Sequence, residues 1–108
     1  MTDKDLLGLA AKAAGLGEVL AMPMSRTEFS YVVEEVDGGP LKPWNPLEDD
    51  GDALRLAVKL DLTIYRPGSH PGVLVKTAED HTVYSDDCVR RAIVLAAAAI
   101  GQAIQEKH

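Results

Sequence analysis

The chain is organised around one dense stretch of sequence, Trp44-Asn45-Pro46-Leu47-Glu48-Asp49-Asp50-Gly51-Asp52-Ala53-Leu54-Arg55-Leu56. An asparagine before a proline favours an extended or turn conformation, and Pro46 fixes its own φ angle, so no helix is expected to run through this point. Asp49 or Asp50 is placed to accept a hydrogen bond from the free N–H groups of a helix that starts near Gly51. Asp52 adds negative charge to the first turn, where the helix dipole is positive. The stretch therefore predicts a rigid turn followed by a capped helix.

The same run carries a family resemblance. Residues Trp44 to Leu60, with Arg91-Ala92-Ile93-Val94 and Ile100-Gly101 near the C-terminus, are similar to the phage ABA sandwich family of small bacteriophage and prophage proteins. The resemblance covers most of the chain, although residues 22–43 and 66–80 do not contribute to it. It implies an α/β/α sandwich and a phage or prophage origin. The family has no assigned activity, so the resemblance implies no catalytic residues.

Length and charge limit the number of domains and the kinds of partner that are expected. At 108 residues and 11.6 kDa the chain is expected to form a single domain, residues 1–108. Seventeen acidic against eleven basic residues give a formal charge of −6, which disfavours nucleic acid and anionic membranes as partners. The longest apolar run, Ala92 to Ile100, is far shorter than the ~20 residues needed to cross a bilayer. The single cysteine is compatible with a reducing compartment, and the N-terminus lacks the features of a signal peptide, so a cytoplasmic location in a bacterial host is expected.

A first helix is predicted from about Asp3 to Ala14. Thr2 and Asp5 resemble a capping box, and Gly15 or Gly17 would stop the helix.

The helix after the acidic residues is predicted from Ala53 to Leu60. Arg55 and Lys59, continued by Asp52, form a narrow polar stripe on an otherwise apolar segment. So little polar surface predicts burial on more than one side.

The last helix is predicted from about Asp86 to Glu106, with Ser85 as its cap and apolar residues at helical spacing. Two interpretations are open for the arginines at positions 90 and 91: they hold a phosphate or an acidic partner, or they pair on the helix surface with the two acids of its first turn at i,i+4. Apolar residues cover nearly its whole circumference, so this helix is expected either at the centre of the domain or under a partner.

The strand predictions rest on alternation and on β-branched residues. Glu28–Val36 alternates as a half-buried strand, and Leu62–Tyr65 and Val73–Thr77 are expected to form a hairpin. A short strand is expected at His81–Tyr84. Residues 18–25 are predicted as a loop because of Pro23, and residues 40–44 as a surface crossing that returns Trp44 to the core.

This order of elements predicts an α+β fold with one small antiparallel or mixed sheet of three to four strands, covered by three helices. The physical pattern alone favours two layers. The resemblance implies three, an α/β/α sandwich with helices on both faces of the sheet.

The acidic turn, which we define as Glu48-Asp49-Asp50-Gly51-Asp52, invites comparison with a calcium loop. Aligning Gly51 with the glycine of an EF-hand places Pro46 at the first ligand position and Ala57 at the bidentate one, so the match fails. Helix capping is the favoured interpretation, and no metal or cofactor is predicted.

Cys88 near the start of the last helix and His81 just before it are candidates for a catalytic pair. The neighbouring acids oppose a thiolate, and a buried cysteine with a surface histidine is the favoured interpretation. His70 lies in a Pro/Gly loop without companions at ligand spacing and is expected to be exposed. No catalytic residue is assigned.

Trp44 is either a core residue or part of a pocket, and the core is favoured. If it contributes to a site, the candidate binding surface comprises Trp44, Asn45, Asp49, Asp50, Asp52 and Arg55.

Two functions follow as hypotheses. The first is a non-enzymatic phage or prophage accessory protein that binds another protein or itself. The alternative is a small hydrolase or ligand-binding module that uses a groove near Trp44 and the acidic turn. A homodimer is expected through the outer face of the last helix, at Arg91, Leu95 and Ala99.

Overall fold

The computed structural model describes residues 2–23, 25–26, 29–34, 40–68, 72–78 and 81–106. Within these ranges the chain forms, in order, α1 (Asp3–Ala13), β1 (Val19–Pro23), β2 (Phe29–Glu34), β3 (Leu41–Pro43), α2 (Asp50–Lys59), β4 (Thr63–Tyr65), β5 (Val73–Lys76), β6 (Val83–Asp86) and α3 (Val89–Glu106).

The strands form two antiparallel three-stranded sheets, each with its strands in chain order. In sheet 1 (β1-β2-β3), Val33 on the middle strand lies opposite Val19 of β1 and opposite Lys42 of β3. In sheet 2 (β4-β5-β6), Ile64 and Tyr84 both lie opposite Val75. Val33 and Val75, the buried centres of the two middle strands, anchor the sheets in one hydrophobic core.

The core is assembled around α3. This helix packs most extensively against α1, and it also contacts α2, β5 and β6, while α1 contacts β1. Small residues make the close packing possible, since Ala92, Ala96, Ala97 and Gly101 are all buried. A chain with few aromatic residues thus fills its interior by bringing helix backbones close together.

The predicted α+β class is confirmed, with three helices and antiparallel strands among the described residues. The strands are divided between two sheets, where one sheet of three to four strands was expected. The hairpin of β4 and β5 is confirmed. The strand expected at His81–Tyr84 exists but is shifted, because β6 spans Val83–Asp86. The strand predicted at Glu28–Val36 is present as Phe29–Glu34, and the ends of that prediction lie outside the described residues.

Two strands occupy segments where no strand was predicted. β1 lies in the expected loop at residues 18–25, and β3 lies in the expected surface crossing. Both end on a proline, Pro23 and Pro43, and both are outer strands of their sheet. Proline cannot donate a ladder hydrogen bond, so it is tolerated at such positions, although it weakens the strand pattern in the sequence.

The start of α1 agrees with its prediction. Thr2 accepts a hydrogen bond from the Asp5 N–H, and the Asp5 carboxylate accepts one from the Thr2 N–H, which completes the capping box. The backbone hydrogen bond from Thr2 lowers the pKa of Asp5 below its ordinary value. Gly15, at φ 74°, ends the helix as expected.

The start of α3 does not agree. The helix begins at Val89, and Ser85 and Asp86 belong to β6, so Ser85 is not its cap. The Asp86 carboxylate instead accepts a hydrogen bond from the Cys88 N–H at 3.0 Å, which turns the chain from strand to helix.

No helix within the described ranges is long and apolar enough to cross a membrane.

Candidate functional site

The turn before α2 is built by Asn45. Its side-chain Oδ1 accepts a hydrogen bond from the Leu47 N–H at 3.1 Å. Its carbonyl oxygen accepts hydrogen bonds from the N–H groups of Glu48 and Asp49, at 3.0 and 2.8 Å. Pro46, between Asn45 and Leu47, is fully buried. The Asn-Pro pair therefore closes a tight turn and fixes the direction in which α2 begins.

Two carboxylates of the acidic turn lock this geometry. The Asp49 side chain accepts a hydrogen bond from the Asp52 N–H at 2.7 Å, so Asp49 is the N-cap of α2. The Asp52 carboxylate accepts the Asn45 N–H at 2.9 Å and also pairs with Arg55. The predicted cap is confirmed at Asp49, the first of the two candidates.

A third carboxylate ties the turn to α3. The Arg90 guanidinium donates to the Leu47 carbonyl at 3.1 Å and to the Asp50 carboxylate at 2.7 Å. The hydrogen bond to Asp50 raises the pKa of Arg90 above its ordinary value. Arg91 pairs at 3.3 Å with Asp3 on α1. The prediction that both arginines pair within their own helix is wrong, because that helix starts three residues later than expected.

Trp44 is a core residue. Its side chain is only 5% exposed, and its N–H donates to the Tyr31 carbonyl at 3.0 Å, which extends the pairing of β2 with β3. The favoured interpretation of Trp44 is therefore confirmed. Neither of the two grooves described below is lined by Trp44 or by the acidic turn.

Most of the candidate metal-binding and catalytic residues lie within the described part of the chain. Nowhere in it do three or more His, Cys, Asp or Glu side chains come together so that they could hold a metal ion. Cys88 is half-buried and His81 is exposed, with a positive φ of 57°. Among the residues that the structure describes, no hydrogen bond links the two side chains. His70 lies outside those residues.

The outer face of α2 carries the most exposed large apolar side chains in the described ranges. Leu54 is 60% exposed and Val58 is 73% exposed. They stand one turn apart on the same face, opposite the buried Ala53, Leu56 and Ala57. The prediction that α2 is buried on more than one side is wrong, since only one of its sides packs against the core.

The expected dimer surface on α3 is largely covered by the chain itself. Leu95 is half-buried and packs against the core, and Arg91 is engaged with α1. Ala99 lines a groove of about 460 Å³, which is bounded by the C-terminal ends of α1 and α2, by sheet 2 and by α3. The homodimer stays a prediction, but the exposed face on which it depended is not found at Leu95.

A second, more open groove of about 710 Å³ runs beside α1. Lys4, Asp5, Lys12 and Glu18 contribute charges of both signs to its walls, so it has no single electrostatic preference.

Sequence reasoning missed two surfaces, the outer face of α2 and the groove beside Ala99. The spacing of Leu54 and Val58 is visible in the sequence, but buried and exposed apolar residues look alike there. What distinguishes them is the placement of α3, which covers only one side of α2.

Comparison of the chain with family models, with curated proteins and with solved structures finds no match.

Proposed function

We propose that this chain is a non-enzymatic interaction protein of phage or prophage origin that acts in the cytoplasm of a bacterial host. Its protein partner is a second copy of itself, and the contact is the outer face of α2. The observation that carries the proposal is the exposure of Leu54 and Val58. The phage origin is supported by the resemblance of Trp44 to Leu60 to the phage family, and the location by the single cysteine, which suits a reducing compartment.

The apolar pair gives this face a reason to associate. Burying a Leu or Val side chain contributes roughly 1.5–3 kcal/mol relative to leaving it in water. Here about two thirds of each side chain faces solvent, at 60% and 73%. Large exposed apolar patches with a polar rim mark protein contact surfaces, and Leu54 and Val58 form a small patch of this kind.

The charges along α2 favour a second copy over an unrelated partner. The acidic residues Glu48, Asp49, Asp50 and Asp52 all lie at its N-terminal end, whereas Arg55 and Lys59 lie toward its C-terminal end. Two α2 helices packed antiparallel across a two-fold axis would place the basic end of each beside the acidic end of the other. Leu54 of one copy would then face Val58 of the other, and the reverse.

The contact is small, and this sets the expected affinity. A stable interface buries about 800 Å² per partner, which is more than two ten-residue helices can supply alone. We therefore expect a reversible dimer in the micromolar range that weakens as salt screens the charge pairs.

Analytical ultracentrifugation tests the proposal with a matched pair of variants. Val58→Lys places a charge in the centre of the contact and should give a folded monomer. Val83→Lys, at a valine of β6 that is 44% exposed, makes the same chemical change away from α2 and should leave the dimer intact. Circular dichroism at low concentration should show both variants folded.

Two results would contradict the proposal. One is an unmodified protein that stays monomeric at several hundred micromolar in low salt. The other is an equal effect of Val58→Lys and Val83→Lys on association, which would mean that α2 is not the contact.

A further inference from the structure

The groove beside the last two turns of α3 is distinct from the outer face of α2 and from the acidic turn. Its volume of about 460 Å³ lies within the range of sites that bind small molecules. It is lined by Ala13, Lys59, Leu60, Thr77, Ala78, Tyr84, Ala99, Ile100, Ala103 and Ile104.

The inner wall of the groove is formed by apolar side chains and is continuous with the core. Leu60 and Tyr84 pack against the core cluster, while Ile100 and Ile104 are half-buried on the wall that α3 provides. Thr77 is buried, and its hydroxyl is engaged with the backbone of Thr82. The inner wall therefore offers contact surface for an apolar molecule.

The described lining of this groove carries a positive charge, in a chain whose formal charge is −6. Among the residues that the structure describes, Lys59 is the only one lining the groove that carries a formal charge. Its ammonium forms no ion pair with any carboxylate of the described residues. Such an ammonium at the edge of an apolar groove is a binding element for an anion.

The helix ends nearby do not cancel this charge. α1 and α2 both end at the groove, and a helix C-terminus carries partial negative charge on its free carbonyl groups. In α1, the N–H groups of Ala14, Gly15 and Leu16 fold back onto these carbonyls, and in α2 those of Leu60, Asp61 and Leu62 do the same. These hydrogen bonds reduce the partial negative charge at both helix ends.

We propose that this groove binds a small amphipathic anion, an apolar chain that ends in a single carboxylate. The carboxylate pairs with Lys59, and the chain lies along Ile100 and Ile104. This site goes beyond the proposed self-association, since Leu54 and Val58 do not line it. Lys59 also belongs to the basic end of the antiparallel contact, so the carboxylate binds it in the monomer, the form that Val58→Lys provides.

Decanoate and decanol, both below their aggregation limits, are the probes for an NMR titration of the 15N-labelled protein. Decanoate should bind saturably and shift the amide signals of Leu60, Tyr84 and Ile100. Lys59→Met should weaken the binding of decanoate by about threefold to fivefold, as expected for a partly exposed ion pair, and leave the binding of decanol unchanged. Lys4→Met, at a lysine of the other groove, is the control and should change neither.

A plugging variant keeps the test independent of charge. Ala103 is exposed at the groove, so Ala103→Phe can fill it without overpacking the core, and it should abolish binding of both probes. The titration is repeated in Val58→Lys, which is expected to be monomeric and whose groove residues are intact. This control prevents a change in self-association from being mistaken for a loss of ligand binding.

Three results would overturn the proposal. The first is the absence of saturable decanoate binding. The second is binding that persists in Ala103→Phe, which would place the probe elsewhere. The third is a decanoate affinity in Lys59→Met equal to that of the unmodified protein, which would mean that the carboxylate does not pair with Lys59.

Discussion

Single side chains hold the acidic turn in place, and each of three carboxylates has a separate structural task. Asp49 caps α2, Asp52 accepts the Asn45 N–H, and Asp50 binds Arg90 on α3. These contacts account for the clustering of acids without a metal ion. Glu48 is exposed and has none of these roles.

Asp49→Ala should lower the free energy of unfolding by about 1 kcal/mol, because it leaves the first-turn N–H of Asp52 without its acceptor. Asp49→Asn should recover most of the loss, since an asparagine oxygen also caps. Glu48→Ala removes a comparable charge with no cap and should have almost no effect. Urea denaturation measures all three, and equal losses from Asp49→Ala and Glu48→Ala would refute the capping role.

At the level of elements, the decisive contact is the crossing of α1 and α3 at Gly101. A Cβ atom built on this glycine would lie 1.8 Å from the Leu9 carbonyl oxygen. The obstacle is backbone rather than a flexible side chain, so it cannot move aside without separating the helices. Gly8, in the interior of α1, has no neighbour within 4 Å of such an atom.

The two glycines should therefore respond in opposite directions to the same change. Gly101→Ala should destabilise the protein by about 1–3 kcal/mol or more, through overpacking. Gly8→Ala should stabilise it by about 0.5–1 kcal/mol, because alanine is the better helix former and its methyl group meets nothing. Thermal unfolding followed by circular dichroism measures both effects. A stabilising Gly101→Ala would mean that the helices do not cross this closely.

At the scale of the whole molecule, α3 is the centre around which the other elements pack. It contacts both other helices and sheet 2, and Leu95 packs against the core. Its apolar circumference is therefore explained largely within one chain. The exposed apolar surface is on α2, so the dimer contact is proposed on α2 and not on α3, where the sequence pattern predicts it.

Leu95→Lys should consequently lower the free energy of unfolding by about 1–3 kcal/mol, since it brings a charge against the core. Val58→Lys should change the stability of the monomer by no more than about 0.5 kcal/mol. Guanidinium denaturation at low protein concentration compares the two. A fully stable, monomeric Leu95→Lys would support an α3 dimer interface and count against the arrangement described here.

The sequence by itself determined the features that depend on neighbouring residues. The capping box of Thr2 and Asp5, the turn at Asn45 and Pro46, the cap at Asp49 and the end of α1 at Gly15 are all local, and all were predictable. The α+β class followed from the same local patterns.

Only the tertiary structure decided which chain segments meet. Arg90 binds Asp50 forty positions away rather than an acid of its own helix, and two proline-containing segments become strands because they lie at sheet edges. The same holds for exposure. Leu54 and Leu56 are chemically identical and two positions apart, yet Leu54 faces solvent and Leu56 faces the core. A helix of ten residues can be buried on any side, and the side is chosen by the helix that packs against it.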